Sequence, residues 1–158
     1  MGAVAISISK SQVFKEVARR TSVATETDPF YKQNTTEKKQ YSQLHGEGDR
    51  ITTDFLVEAA KEVLKAFLSR QGDLSGADAP FEITATDVVY RFEEAEPVLP
   101  HSASIKQRLT DNVRDALVYY VMLSLYRTDG NVAKEKETFQ KCLTIIDELS
   151  GDLYRLHD

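Results

Sequence analysis

At 158 residues the chain suits one domain with a sizeable core, and 41% hydrophobic against 28% charged residues excludes a chain too polar to fold. A formal charge of -5 and a pI near 5.3 exclude a surface built throughout for phosphate backbones, while leaving room for a local basic patch. One cysteine, Cys142, permits neither an internal disulfide nor a cysteine-based metal site, so redox chemistry is not expected.

The start, MGAVAISISKSQ, has no basic residue ahead of its apolar ones; it does not read as a secretory signal, and the expected location is cytoplasmic. Ser9 or Ser11 can cap a short helix reaching about Arg20, with Val13, Phe14 and Val17 as its apolar stripe. That helix carries Lys10, Lys15, Arg19 and Arg20 against the single acid Glu16. From Thr21 to Arg50 the composition turns polar, without sustained periodicity, and predicts a long arm with Pro29, Phe30 and Tyr31 as a docking point. Residues 1–50 are therefore expected to form a basic helix plus an arm, and residues 51–158 a helical body.

In the body, Thr52, Thr53 or Asp54 can cap a helix whose Leu56, Ala60, Val63 and Phe67 repeat at helical spacing, with Gly72 as its stop. DLSGADAP is turn-rich. Phe81, Ile83 and Ala85 then alternate with polar residues, and Val88, Tyr90 and Phe92 alternate in the opposite phase. The shift predicts two short strands, or one with a bulge near Thr86 and Asp87, within an insert near 81–93. Ser104 and Gln107 form a capping-box signature for a long helix to about Thr128, whose apolar stripe widens through DALVYYVMLSLYR until it nearly encircles the last turns. That apolar run spans about eleven residues where a membrane crossing needs about twenty, so it cannot cross a bilayer. Its far side, with Tyr119 and Tyr126 as the outward residues, is expected to meet either the Phe55 to Phe67 helix or a second subunit. Asp129 and Gly130 end the helix, Asn131 can cap the next, and Val132, Phe139, Cys142, Ile146, Leu149, Leu153 and Leu156 form a heptad-like seam on it. The short DGN connection makes the last two helices antiparallel neighbours. The fold class is thus mainly α: a helical bundle with two long antiparallel C-terminal helices, a short β element and a long N-terminal arm.

Chemistry is sparse. His45, His101 and His157 stand singly, with no second ligand at helical metal-binding spacing. Cys142 falls on the apolar seam, as a buried structural thiol does. GDLSGAD lacks the spacing and the strand-to-helix turn of a nucleophile elbow, and the seven glycines form no phosphate cradle. Glu93, Glu94 and Glu96 bring carboxylates together, but beside no partner base; a solvated edge explains them. No catalytic, cofactor-binding or metal-binding residue is indicated, and the expectation is a protein that is not an enzyme.

Two features point instead to contact with other macromolecules. Residues 1–50 hold eight Lys/Arg against six Asp/Glu, and residues 51–158 twelve against nineteen, so a basic segment precedes an acidic body that a neighbouring copy's segment can dock on. Tyr119, Tyr120 and Tyr126 add aromatic surface suited equally to a core and to an interface. Lys15, Arg19, Arg20, Phe30, Tyr31, Tyr119 and Tyr126 are the candidate interface residues.

The order of elements, with SKSQVFKEVARRT, a polar arm, DFLVEAAKEVLKAFLS, an extended VVYRF, DALVYYVMLSLYRT and a helix ending IIDELSGDLYRL, resembles the small helical structural proteins of tailed phages and prophages, especially those of Bacteroidetes hosts, of the head-to-tail connector or adaptor kind. The resemblance covers most of the chain. It implies a virion protein that forms a homo-oligomeric ring at the neck and docks onto a portal or neighbouring neck or tail proteins. DNA would pass through its lumen without specific binding, and no membrane would be involved. The alternative is a bacterial module that binds protein or nucleic acid through the basic first helix.

Overall fold

The computed structural model describes residues 2–33, 50–67 and 81–157. Three strands, β1 (Gly2–Ser9), β2 (Phe81–Ile83) and β3 (Asp87–Glu94), form one antiparallel sheet in the order β1-β3-β2. Five helices accompany them among the described residues: α1 (Lys10–Thr27), α2 (Pro29–Gln33), α3 (Arg50–Phe67), α4 (Ser102–Asp129) and α5 (Val132–His157). The protein is mainly α, with α4 and α5 packed together as its largest helical pair.

The first strand corrects the reading of the N-terminus. GAVAISIS alternates, so that Ile6 and Ile8 are buried while Ala5 and Ser7 are exposed, and the segment pairs along its whole length with β3, from Gly2 opposite Glu94 to Ser9 opposite Asp87. Alternation over so few residues, two of them alanine, is a weak signal, and the pairing partner lies far along the chain. Ser9 ends the strand and caps α1, accepting a hydrogen bond from Gln12 N at 3.3 Å. The helix does not stop near Arg20: it runs to Thr27, because Val17, Thr21 and Ala24 continue the buried face against α4. Thr21 fits that face by donating its hydroxyl to Val17 O at 2.7 Å. The expected arm from Thr21 to Arg50 is therefore helical at its start and again over Pro29–Gln33, and residues 34–49 lie outside the described residues. With β1 in the sheet and α1 on α4, the first 33 residues share the core of the body.

The phase change near Thr86 is a turn between two strands. Thr84 N donates to Asp87 O, and the Thr84 hydroxyl oxygen accepts from Asp87 N at 2.9 Å, which sets Phe81 opposite Tyr90 and Ile83 opposite Val88. Tyr90 stacks on Phe67 of α3 with centroids 4.8 Å apart and donates its hydroxyl to Ala60 O at 2.6 Å, fixing α3 to the sheet. The Gly72 stop and the DLSGADAP turn lie outside the described residues.

At the start of α4 the capping box is not formed. The helix begins at Ser102 behind His101, which has a left-handed backbone (φ 64°) and makes no side-chain cap; the Ser104 hydroxyl donates to His101 O instead. Its end is as expected, with Gly130 left-handed at φ 77° and Asn131 Oδ1 accepting from Lys134 N at the start of α5. The DALVYYVMLSLYR run is covered by its own chain: α5, α3 and α1 all pack on α4, and Tyr126, expected outward, is only 3% exposed. On α5 the seam holds for Cys142, Leu149, Leu153 and Leu156, but Val132 and Phe139 are exposed. Ile145 and Thr138 take the inward positions, because a straight helix turns its buried line away from a strict seven-residue repeat.

Candidate functional site: a groove between α1 and α5

Tyr119, Met122 and Tyr126 succeed one another on α4 at steps of three and four, so they share one face. The two helices flanking that face leave an open groove over it. Arg19, Arg20 and Val23 of α1 form one wall, and Lys134, Glu137 and Lys141 of α5 the other. The groove continues past Tyr119 between α4 and α5 toward Gln140 and Thr144, and a second depression between α1 and α4 reaches Lys15 and Arg114.

The floor is an aromatic ring between two cations. The Arg20 guanidinium lies 5.1 Å from the Tyr119 ring centroid, and Lys141 Nζ lies 5.8 Å from it. Contacts of this kind hold the cations in place with roughly 0.5–1 kcal/mol each where solvent reaches them. Carboxylates tune the walls. Arg19 and Arg20 both donate to Glu16, Arg20 Nε at 2.8 Å, and these bonds hold the Glu16 carboxyl down at about 2 while pushing the Arg19 guanidinium higher. Asp115 Oδ1 lies 3.7 Å from Arg20, and Glu137 stands 3.6 Å from Lys134 and 3.5 Å from Lys141. The groove thus presents four cations whose local acids leave them short of neutrality, on a protein that is acidic as a whole. Chemically it can receive an acidic surface or segment, with Tyr119 as a partly apolar seat.

The structure gathers Arg19, Arg20, Tyr119 and Tyr126 of the candidate interface residues into this groove, with exposed Lys15 in the depression alongside. Within it, burial pushes the Tyr126 hydroxyl up to about 12, so that ring serves as floor and not as an outward contact. Phe30 and Tyr31 do dock, but onto their own chain. Tyr31 is fully buried, Phe30 meets its ring edge-on at 5.0 Å, and the Tyr31 hydroxyl donates to Asp129 Oδ2 at 2.6 Å. Sequence reasoning missed the rest of this latch. Asn131 Nδ2 donates to Asp28 Oδ2 at 3.1 Å, while Asp28 Oδ1 accepts from Phe30 N at 3.0 Å. Asp129 Oδ1 is buried and accepts no hydrogen bond among the described residues; desolvation pushes the pKa of that carboxyl above its ordinary value, against the opposing hydrogen bond from Tyr31. In the sequence, Asp129 and Asn131 signal only the end of one helix and the start of another. Lys134 and Lys141 were hidden by the apolar seam of the same helix.

Elsewhere the acidic and thiol groups serve the fold. Glu94 is buried with Lys106 Nζ 3.2 Å from its Oε2, and Asp152 is buried between Arg108 of α4 and Arg155 of α5, whose donors reach its Oδ1 at 3.1 and 2.9 Å. Cys142 is buried and its thiol pushed up to about 12, far from a nucleophile's range. Among the described residues no cluster of three or more His, Cys, Asp or Glu side chains could hold a metal ion, and no helix is long and apolar enough to cross a membrane.

Fold and site together define a mainly α domain with a small antiparallel sheet and a solvent-open groove of cations over an aromatic floor. Comparison with protein-family models, with curated proteins and with solved structures finds no match to the chain.

Proposed function

We propose that this chain is a non-enzymatic assembly protein that works by docking an acidic surface of a partner protein into the groove between α1 and α5. The observation that carries the proposal is the Arg20–Tyr119–Lys141 stack, a cation-flanked ring open to solvent on a protein of net charge -5. In its most specific form, supported by the order of elements in the sequence, the partner is a portal or a neighbouring neck or tail protein of a tailed phage. The chain is then a virion component of the head-to-tail connector, assembled in the host cytoplasm. Net negative charge suits a lumen through which DNA slides, since it repels the phosphate backbone.

One observation favours the alternative of nucleic-acid binding: Lys15, Arg19, Arg20 and Arg114 border a single depression. Glu16 and Asp115 pair with Arg20 in the same depression and weaken its hold on any anion, so the aromatic seat of Tyr119 between Arg20 and Lys141 is what favours protein docking.

The test is co-expression with portal and neck proteins of a tailed phage, followed by light scattering and particle imaging. A stable complex is expected, and the double charge reversal Arg20→Glu with Lys141→Glu is expected to weaken it at least about tenfold. A chain that stays monomeric with every neck component refutes the connector role. Affinity for duplex DNA that falls steeply with salt, and is lost on neutralising Lys15, Arg19 and Arg20, moves the assignment to the alternative.

A further inference from the structure

One exposed flank of α5 carries Val132, Phe139, Leu143 and Tyr154, exposed by 72%, 42%, 45% and 55%, with Phe139 at the rim of a depression that Glu58 and Glu62 of α3 and Tyr120 of α4 also line. They follow at intervals of seven, four and eleven residues, each close to a whole number of helical turns, so they form one stripe. Half-buried Ile146 borders it. The stripe is about 33 Å long at 1.5 Å per residue. Scattered exposed apolar residues need no explanation, but an aligned set with three of its members on one half of a helix does.

Charge on this face identifies the occupant. Three charged residues lie on the stripe's side of the helix: Glu135 at its edge, held by Arg127 of α4 at 2.8 Å, and Lys136 toward one end with Asp147 toward the other, which carry the charge pattern. If a second α5 is laid on the first in the same direction, Lys136 meets Lys136 and Asp147 meets Asp147. If it is laid antiparallel about Leu143, Lys136 of each copy lies within one helical turn of Asp147 of the other. The same two-fold places Leu143 on Leu143, Phe139 beside Ile146, and Val132 beside Tyr154, so every apolar member gains an apolar neighbour. The pattern is self-complementary in one orientation only, which is the requirement for a closed two-fold contact.

We propose that the outer stripe of α5 pairs with the same stripe of a second copy, antiparallel and centred on Leu143. The contact is small, of the size that gives dissociation constants on the order of micromolar. It is independent of the groove between α1 and α5, and a closed pair does not by itself build a ring. Failure of the dimer therefore leaves the docking proposal standing, and failure of docking leaves the dimer standing.

Sedimentation equilibrium on the full chain, from about 1 to about 200 μM, is expected to show a reversible monomer–dimer equilibrium. Leu143→Glu is expected to raise the dissociation constant at least about tenfold, as is either single reversal, Lys136→Glu or Asp147→Lys. The double reversal is expected to restore the dimer, and since all these positions face solvent, circular dichroism should confirm that each variant folds. Leu143→Cys is expected to cross-link to its own copy under mild oxidation while Lys136→Cys is not, with buried Cys142 silent in both. Any of four results overturns the proposal: a monomer at every concentration; a dimer indifferent to Leu143→Glu; a double reversal that fails to restore pairing; or a monomeric Leu143→Cys variant that resists alkylation, which would mean that the chain covers the stripe itself.

Discussion

Replacing Tyr31 by Phe removes one oxygen from the latch between α2 and the α4–α5 turn and leaves the ring packing intact. The lost bond is a 2.6 Å donation to buried Asp129, whose other oxygen already accepts none among the described residues. A hydrogen bond to a charged acceptor contributes about 1.5–3 kcal/mol, and here the acceptor cannot turn to water; a loss of about 2 kcal/mol at neutral pH is expected. With a urea slope of about 2 kcal/mol per molar, the unfolding midpoint falls by about 1 M. The pH dependence has a definite sign. The folded Asp129 carboxyl titrates above its ordinary value of 3.8, so its protonation stabilises the fold, fully below that value, and the gain disappears as pH rises through the folded value. Removing the Tyr31 donor raises the folded value further. The cost of Tyr31→Phe is therefore larger at neutral pH than at acidic pH, shrinking as the pH falls through the folded value. In an Asp129→Asn background the same substitution should cost less by about 1 kcal/mol or more, the coupling that a double-mutant cycle isolates. Equal midpoint shifts at both pH values, together with additive double mutants, would refute the account of a charged acceptor held by Tyr31.

Two further outcomes follow from burial. Because the Cys142 thiol is buried and pushed up to about 12, native protein near pH 8 should react with a thiol reagent at least about a thousandfold more slowly than unfolded protein, and rapid labelling would contradict its placement. Ile8→Ala should cost about 2–4 kcal/mol in urea unfolding, since Ile8 is 3% exposed and packed in the core, whereas exposed Ser7→Ala should stay within about 0.5 kcal/mol. Equal effects would place β1 outside the core.

The helices were legible where one face had to be apolar over many turns, as in Leu56 to Phe67 and Leu109 to Leu125. The opposite-phase strands were legible because alternation and a turn lie within fifteen residues. Features created by distant partners were not. GAVAISIS becomes a strand only against β3, and Tyr31 becomes core only because a turn formed near residue 130 closes on it. The candidate site divides in the same way. Arg19, Arg20 and Tyr119 were visible as surplus charge and aromatic surface, but their assembly with Lys141 depends on how α1 and α5 seat on α4.

The pairing of β1 with β3 also sets an order of events during synthesis. The partners of Ser9 and Gly2 are Asp87 and Glu94, 78 and 92 residues later in the chain. At about 5–20 residues per second, the ribosome takes roughly 5–20 s to deliver them. For that time Val4, Ile6 and Ile8 belong to an apolar segment without its pairing partner, the kind that pairs with the wrong chain or is met by a chaperone. The α4–α5 hairpin, made of neighbours in sequence, closes quickly once translated. The slow and vulnerable step in making this protein is thus the wait of its first strand.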